Sequence, residues 1–257
     1  MKALTCASLV ALATVTSTTT ETGPLALDRI PAPIRAAIAA PDRPDADKAL
    51  DAGREPAQWL AFFGAAPGMN VADLYAGGGY TTELLARIVG PKGKVYSQLP
   101  PLPPDFAQIE QAWMERLKKP ALANTVPVHV ALDGDFLPAP PGSLDLVLIH
   151  LNYHDVVLRG LDRDKLNATV FHALKPGGVY GVVDHSAKPG AGQAGLELHR
   201  IDESQLIAEV EKAGFELDGA SSALRHPDDD RSWSTSPRTA GEKRGTSDRF
   251  VLRFKKP

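Results

Sequence analysis

The sequence is poor in cysteine and in net charge, and each shortage excludes a class of structure or partner. Among its 257 residues there is one cysteine, Cys6. A chain with one cysteine cannot form an internal disulfide or bind a metal ion through a cluster of thiolates. The formal net charge is −3, which gives no strong field for nucleic acid or an anionic membrane. We therefore expect no nucleic-acid partner.

A long apolar run is also missing at the N-terminus. The run over residues 3–15 follows Lys2 and precedes a Ser/Thr-rich segment, whereas a membrane-spanning helix needs about 20 apolar residues. A positive start followed by about 7–15 apolar residues is typical of a secretory signal peptide. We expect export to the periplasm or the medium and no stable membrane insertion. The alternative is a disordered tail on a cytoplasmic protein.

The sequence does contain a glycine turn between an apolar strand and a helix. With 43% hydrophobic residues, the chain can bury one large core. Residues 71–75 have the character of a strand buried in a parallel sheet, and residues 81–88 have helical spacing of apolar side chains. Between them, Gly77, Gly78 and Gly79 can adopt backbone angles closed to other residues and let a ligand approach the main chain. This arrangement predicts a site for a polar, often nucleotide-like ligand.

The spacing of the glycines separates two kinds of nucleotide site. The dinucleotide fingerprint G-x-G-x-x-G needs a third glycine where this chain has Thr82. The turn instead resembles the first motif of class I S-adenosylmethionine-dependent methyltransferases, an acidic residue followed by x-G-x-G-x-G. Asp73 occupies the acidic position, and Gly77 and Gly79 occupy the second and third glycine positions. Tyr75 replaces the first glycine, which is a departure from the motif.

The resemblance extends over about residues 45–257 and implies an α/β fold. The expected architecture is a Rossmann-like, seven-stranded methyltransferase sheet with helices on both faces and an N-terminal helical cap. It divides the chain into a signal peptide or tail at 1–22, an arm and helical cap at 23–66, and a methyltransferase domain at 67–257. The resemblance is strongest to a bacterial group of predicted methyltransferases that often begin with an export signal. The implied cofactor is S-adenosylmethionine.

The same resemblance assigns residues to the cofactor. Gln98 ends the second strand, where the family places a carboxylate that accepts both ribose hydroxyl protons, and an amide binds hydroxyls more weakly. Residues 133–136 follow the third predicted strand, 126–132, where the family contacts the adenine ring; an Asp-Gly turn without a ligand is the alternative. The predicted cofactor-binding residues are Asp73, Tyr75, Ala76, Gly77, Gly79, Gln98, Asp133, Gly134, Asp135, Phe136 and His150.

Polar side chains follow the fourth and fifth predicted strands, 144–149 and 179–183. Open α/β sheets bind ligands at the carboxyl ends of their strands, and in the methyltransferase sheet these two strands are neighbours. A histidine there can remove a proton from an acceptor while a carboxylate orients its ring. The predicted catalytic residues are His154, Asp155, Asp184 and His185. The predicted substrate-binding residues are Arg54, Tyr153, His199 and Arg200.

Several functions stay open at this point. The polar cluster is expected to transfer a proton or bind substrate, although with His199 it could bind a divalent metal or make only structural contacts; we assign no resident metal from the sequence. For the whole chain, the main hypothesis is methyl transfer from S-adenosylmethionine to a small acceptor. The alternatives are a non-catalytic nucleoside-binding protein of the same fold, which Tyr75 and Gln98 motivate, and a nicotinamide-dependent oxidoreductase.

Overall fold

The computed structural model describes residues 21–133 and 135–257. Residues 1–20, which carry most of the predicted signal peptide, and Gly134, predicted to contact the cofactor, lie outside the described residues. The strands are β1 (Glu21–Thr22), β2 (Asn70–Leu74), β3 (Lys94–Gln98), β4 (Thr125–Val128), β5 (Leu144–His150), β6 (Leu174–His185), β7 (Glu216–Ser221) and β8 (Arg249–Lys255). The helices are α1 (Ala32–Ile38), α2 (Asp45–Arg54), α3 (Pro56–Phe62), α4 (Tyr80–Val89), α5 (Ala107–Leu117), α6 (Tyr153–Leu158), α7 (Arg163–Ala173), α8 (Gly192–Glu197) and α9 (Glu203–Lys212).

These strands form one mixed sheet in the order β1-β7-β8-β6-β5-β2-β3-β4. Neighbouring strands are parallel except at β8, which runs antiparallel to β6 and β7. The chain winds outward from β2 to β4 and then returns to β5 on the other side of β2. Strand order thus reverses between β2 and β5, and in open α/β sheets a ligand crevice opens at such a point.

The sheet has eight strands in the described residues instead of the expected seven. The additional strand is β1, in which Glu21 and Thr22 pair in parallel with Ala220 and Ser221 of β7. The Thr22 hydroxyl also donates a hydrogen bond to the Ala220 carbonyl, at 3.1 Å. The end of the segment predicted as leader or tail therefore extends the edge of the sheet.

Side chains of the central strands enter two cores, one on each face, because successive side chains of a strand point to opposite sides. In β2, Ala72 and Leu74 belong to one core and Val71 belongs to the other. The first core also contains buried residues of α6, α7 and α9, and the second contains buried residues of α1, α3 and α4. The prediction of helices on both faces is confirmed.

Two short helices, α2 and α3, occupy residues 45–62, as the position of Pro56 predicts. Proline has no N–H to donate inside a helix but is well tolerated at its first position, where α3 begins. Glu55, between the helices, has a left-handed backbone with φ of 44°. The fully buried Trp59 donates from Nε1 to the Arg54 carbonyl at 3.0 Å. This contact fixes the bend that directs α2 away from α3.

Strand β4, the third predicted strand, is shorter than expected. It ends at Val128, four residues before the predicted end at 132. Val128 pairs with Gln98, the last residue of β3. Because β4 is an edge strand and its only neighbour ends there, residues beyond Val128 have no strand to pair with.

Phe63, the residue that follows α3, packs closely on β6 at Gly181, and this contact is testable. A Cβ atom added at Gly181 would lie 2.5 Å from Leu148 Cδ2 and 2.9 Å from the Phe63 ring. We expect Gly181→Ala to lower the free energy of unfolding by about 1–3 kcal/mol, since overpacking a core costs that much. Urea denaturation measures the effect.

The matched control is Gly23→Ala, because a Cβ atom at Gly23 has no neighbour within 4 Å. Its effect should stay within about 0.5 kcal/mol. Equal stability of the Gly181→Ala variant and the parent would contradict the close packing of Phe63 on β6.

Candidate active site

A cavity of about 1100 Å³ lies at the carboxyl ends of β2, β5 and β6. Its walls come from the glycine turn, α2, α5, the strand ends and part of the segment 233–247. Ligand sites in proteins commonly have volumes of about 300–1000 Å³. This cavity is therefore large enough for a nucleoside cofactor together with a small acceptor, and it lies where the strand order reverses.

Hydrogen bonds from both neighbouring strands hold the glycine turn. Tyr75 has φ of 57°, a conformation that is uncommon for a bulky residue and is often found at functional sites. Its N–H donates to Gln98 Oε1 at 2.9 Å, and the Ala76 N–H donates to the Gln98 carbonyl at 2.8 Å. From the turn that follows β5, Asn152 Nδ2 donates to the Tyr75 carbonyl at 3.1 Å. Gly77, with φ of 53°, then has open space around it, so the turn leaves room for a ligand.

A buried chain of hydrogen bonds ends on Asp73. Trp113 Nε1 donates to Ser97 Oγ at 2.8 Å, Ser97 lies 2.8 Å from Thr82 Oγ1, and Thr82 donates to Asp73 Oδ2 at 2.5 Å. Burial raises the pKa of Asp73 to about 7, although the Thr82 hydroxyl and N–H oppose the rise. Asp73 also lines the cavity. Asp73 therefore gives the cavity a carboxyl group that can change its charge near neutral pH.

His154 is fixed by the carboxylate of Asp184. Asp184 is fully buried and accepts from His154 Nδ1 at 2.6 Å and from the His154 N–H at 2.8 Å. Burial alone would lower the pKa of His154, but the charge of Asp184 and its hydrogen bond raise it. A carboxylate only accepts hydrogen bonds, so the neutral imidazole carries its proton on Nδ1 and a lone pair on Nε2.

The other ring nitrogen of His154, Nε2, lies close to two further polar side chains in the cavity. His154 Nε2 lies 3.3 Å from His199 Nδ1 and 3.7 Å from Asp155 Oδ2. His199 Nδ1 lies 3.5 Å from Asp155 Oδ1. Burial would raise the pKa of Asp155, but the hydrogen bond from His199 and the charge of His154 lower it. The three side chains thus form a compact group, hereafter the polar trio.

His150 and Arg54 form another part of the wall. The His150 ring stacks on Trp59 with centroids 4.7 Å apart, and its Nε2 is buried without a partner among the described residues. Burial, helped by the charges of Arg54 and Arg249, holds the pKa of His150 well below its usual value. Arg54 lies over the Tyr80 ring at 4.3 Å. His150 is therefore a neutral group with an unused nitrogen beside a cation.

The structure brings many of the predicted site residues to this cavity. Those that line it are Arg54, Asp73, Tyr75, Ala76, Gly77, His150, His154, Asp155, His185 and His199. Asp184 does not line the cavity itself but accepts hydrogen bonds from His154, which does. For His185, burial lowers the pKa well below the usual value, and its Nδ1 lies 2.7 Å from Ser247 Oγ.

Other predicted residues lie away from the cavity wall. Gly79 is the N-cap residue of α4, where a side chain would meet Arg116. Both ends of the Gln98 amide are occupied, because its Nε2 donates to the Val130 carbonyl at 2.6 Å while its Oε1 accepts from Tyr75. The geometry thus gives Gln98 a role in shaping the turn, and its contact with ribose stays a prediction.

The predicted adenine contacts and two substrate contacts are also placed elsewhere. Asp133 and Asp135 are exposed, and Phe136 is buried in the first core, so none of these three side chains lines the cavity. Tyr153 is buried, with its hydroxyl donating to Glu209 at 3.0 Å. Arg200 is fully buried, with Nη1 2.8 Å from Asp229 Oδ2. These side chains hold loops and helices together.

Sequence reasoning missed two parts of the wall. One is an apolar surface after β3, formed by Leu99, Leu102, Phe106 and Ile109. The other belongs to the polar segment 221–247, of which Trp233 and Thr235 face the cavity. Trp233 itself was the signal, since a large aromatic side chain in a polar segment is seldom left in solvent.

Curated proteins similar to part of this chain include C-methyltransferases. The ubiquinone/menaquinone biosynthesis C-methyltransferase UbiE of Shewanella piezotolerans is 30% identical over 127 residues, which are 48% of this chain and 45% of that protein. UbiE of Vibrio vulnificus is 31% identical over 127 residues, which are 48% of this chain and 44% of that protein. The chain thus spans less than half the length of these relatives. No protein-family model matches it.

Solved structures show the same fold at lower identity. A SAM-dependent methyltransferase from Aquifex aeolicus superposes with a TM-score of 0.58 and 17% identity, covering 82% of this chain and 95% of that one. An S-adenosylmethionine-dependent methyltransferase from Mesorhizobium loti gives a TM-score of 0.55 at 17% identity, covering 80% of this chain and 100% of that one. An arsenic(III) S-adenosylmethionine methyltransferase from Chlamydomonas reinhardtii gives a TM-score of 0.55 at 18% identity, covering 88% of this chain and 73% of that one. The chain therefore has the Rossmann-like α/β fold of class I S-adenosylmethionine-dependent methyltransferases.

The raised pKa of Asp73 predicts a particular pH dependence of stability. Folding raises this pKa from 3.8 to about 7, so between these values the folded state binds a proton that the unfolded state has lost. The free energy of unfolding should therefore fall with rising pH through this window, by about 1.4 kcal/mol per pH unit at most. Asp73→Asn should remove that part of the slope.

Urea denaturation at pH 5, 6 and 7 measures the difference between the variant and the parent, in which the contributions of the histidines cancel. Asp105→Asn is the control, because Asp105 is exposed, and it should keep the slope of the parent. Parallel pH profiles for Asp73→Asn and the parent would show that Asp73 is charged in the folded protein at pH 5.

Proposed function

We propose that this protein transfers a methyl group from S-adenosylmethionine to a small-molecule acceptor. The observation that carries the proposal is one cavity lined both by the glycine turn after β2 and by the polar ends of β5 and β6. The fold and the similarity to UbiE support it. The two alternatives from the sequence, a non-catalytic binding protein and a nicotinamide oxidoreductase, have no such support.

The residues at the turn fit the cofactor. Gly77 has open space where a side chain would be, so the main chain can lie against the amino-acid and sugar parts of the nucleoside. Leu99, Leu102 and Phe106 offer an apolar surface for the adenine ring. Asp73 offers a carboxyl group to a ligand that carries positive charge, and binding of such a ligand would favour its ionised form.

The acceptor would bind at the opposite end of the cavity, near the polar trio. When bound, the cofactor supplies an activated methyl group whose bond to sulfur breaks as the bond to the acceptor forms. The protein's contribution is to hold donor and acceptor in line, which can supply several kcal/mol by positioning alone. The acceptor's proton would leave toward the polar trio.

The N-terminal helices would act as a cap over this reaction. Leu50, Gly53 and Arg54 of α2 line the cavity, and Trp59 of α3 packs on His150. Closing the cavity from this side would exclude water from the methyl donor. Arg54 would then be close to both ligands.

Binding of S-adenosylhomocysteine, measured by calorimetry, tests the cofactor site. Gly78→Leu should weaken binding by about tenfold or more, a loss of about 1.4 kcal/mol. Gly78 lines the cavity, and its φ is not in the left-handed region, so the new side chain narrows the site without backbone strain. Gly23→Leu is the matched control, because Gly23 is also free of such strain, has open space and does not line the cavity.

Absence of binding heat and of a thermal shift with the parent protein would refute the cofactor assignment. Transfer of a radiolabelled methyl group to a panel of phenols, quinols, thiols and amines then tests catalysis. Tight binding without transfer across that panel would favour the non-catalytic alternative.

Export is a separate proposal, which the N-terminal sequence alone supports. Mass spectrometry of the protein purified from its native host should show a chain that begins after the apolar run at residues 3–15. A full-length chain would favour the cytoplasmic alternative. Within the described residues, none of the helices combines the length and the apolar content that crossing a bilayer requires.

A further inference from the structure

We infer that the polar trio of His154, Asp155 and His199 is a binding site for one divalent transition-metal ion. The three residues offer His154 Nε2, His199 Nδ1 and a carboxylate oxygen of Asp155, and these ligand atoms all lie within 4.8 Å of one another. Two imidazoles and one carboxylate form a donor set that proteins use for iron(II), zinc and related ions. Methyl transfer is not needed for this inference, because metal binding can be measured without cofactor or acceptor.

The spacing of the ligand atoms is close to that around an ion. Two ligand atoms about 2.1 Å from one ion, at angles between about 90° and 109°, lie about 3.0–3.4 Å apart. In the trio, His154 Nε2 lies 3.3 Å from His199 Nδ1, His199 Nδ1 lies 3.5 Å from Asp155 Oδ1, and His154 Nε2 lies 3.7 Å from Asp155 Oδ2. The two nitrogen atoms thus have the spacing of ion ligands, and each of them approaches a different oxygen of the Asp155 carboxylate. A rotation of that carboxylate would therefore suffice to coordinate an ion.

Asp184 supplies the outer contact that such sites need. A metal-binding histidine commonly donates its other ring N–H to a carboxylate, which fixes the ring and leaves the coordinating nitrogen unprotonated. The bond from His154 Nδ1 to Asp184, at 2.6 Å, is of this kind. Asp184 also accepts from the His154 main chain, so the ring and its backbone are held together.

His199 is held in place by its main chain. It has a left-handed φ of 54°, and its N–H donates to the Leu196 carbonyl at 2.9 Å. The Thr235 hydroxyl donates to the His199 carbonyl at 2.6 Å, and the Thr235 N–H donates to Leu198 at 3.0 Å. Two separate segments thus fix the backbone that directs this imidazole toward His154.

The trio leaves coordination positions open to the cavity, since all three side chains line it. An ion there could bind water or an oxygen or nitrogen atom of the acceptor. Imidazole ligands favour zinc, iron, nickel and copper over magnesium and calcium, which prefer oxygen. The site should therefore discriminate against magnesium.

Cobalt(II) is the probe for the test, because its visible absorption reports its ligands. The chelator-treated full-length protein is titrated with Co²⁺ and followed by absorption, and with Zn²⁺ by calorimetry. We expect one ion per chain with either metal and no heat with Mg²⁺. His199→Ala and Asp155→Asn should each weaken Co²⁺ binding by more than 100-fold, whereas Asp184→Asn should weaken it by about 10–100-fold, the usual effect of losing an outer contact.

His129→Ala is the matched control. His129 Nε2 lies 3.3 Å from Glu110, so this variant removes a histidine that is also paired with a carboxylate, and it should bind Co²⁺ like the parent. Stoichiometric Co²⁺ binding that survives both His199→Ala and Asp155→Asn would overturn the inference, as would a parent that binds no more tightly than these variants. Thermal unfolding establishes that the variants are folded, and S-adenosylhomocysteine calorimetry on the same samples reports the cofactor site independently.

Discussion

The carboxylate of Asp184 is the contact on which the polar end of the cavity depends. It is fully buried at the end of β6 and accepts from the main chain and ring of His154 and from the N–H of His185, at 2.6–2.8 Å. A buried carboxylate is costly unless such bonds satisfy it. Since His154 belongs to the helix that follows β5, one side chain joins the ends of two neighbouring strands and orients the imidazole between them.

The opposite end of the cavity depends on an equally local unit. Tyr75 and Gln98 both depart from the methyltransferase motif, and in the sequence they count as two weaknesses. In the structure they are one hydrogen-bonded pair, in which Gln98 accepts from the Tyr75 N–H and donates to the Val130 carbonyl. A carboxylate at position 98 could accept but could not donate. The amide therefore fits a turn in which Tyr75 takes the left-handed backbone, and the two departures from the motif meet in one hydrogen-bonded contact.

Local patterns predicted what local physics determines. The apolar strands, the glycine turn and the break at Pro56 follow from neighbouring residues, and so does the position of His154 just past β5. Asp133, Asp135 and Phe136 do not line the cavity as predicted. Strand β4 ends where its neighbour β3 ends, and the sequence of β4 alone does not encode that length. The buried, structural position of Arg200, which was predicted to bind substrate, was missed for a related reason. Its partner Asp229 is 29 positions away, and no periodic pattern connects two such residues.

The two chemistries considered for His154 exclude each other at one atom. With Nδ1 donating to Asp184, the neutral ring has a single lone pair, on Nε2. A lone pair that coordinates a metal ion cannot also accept a proton from the acceptor, and a protonated nitrogen cannot coordinate. If the trio binds an ion, His154 therefore positions that ion, and the ion takes over the activation of an acceptor oxygen or nitrogen by stabilising its deprotonated form. The imidazole that Asp184 fixes suits either role, because metal coordination and proton removal both need an oriented ring. Occupancy of the trio by an ion, and not the orientation of the ring, therefore decides between the two chemistries.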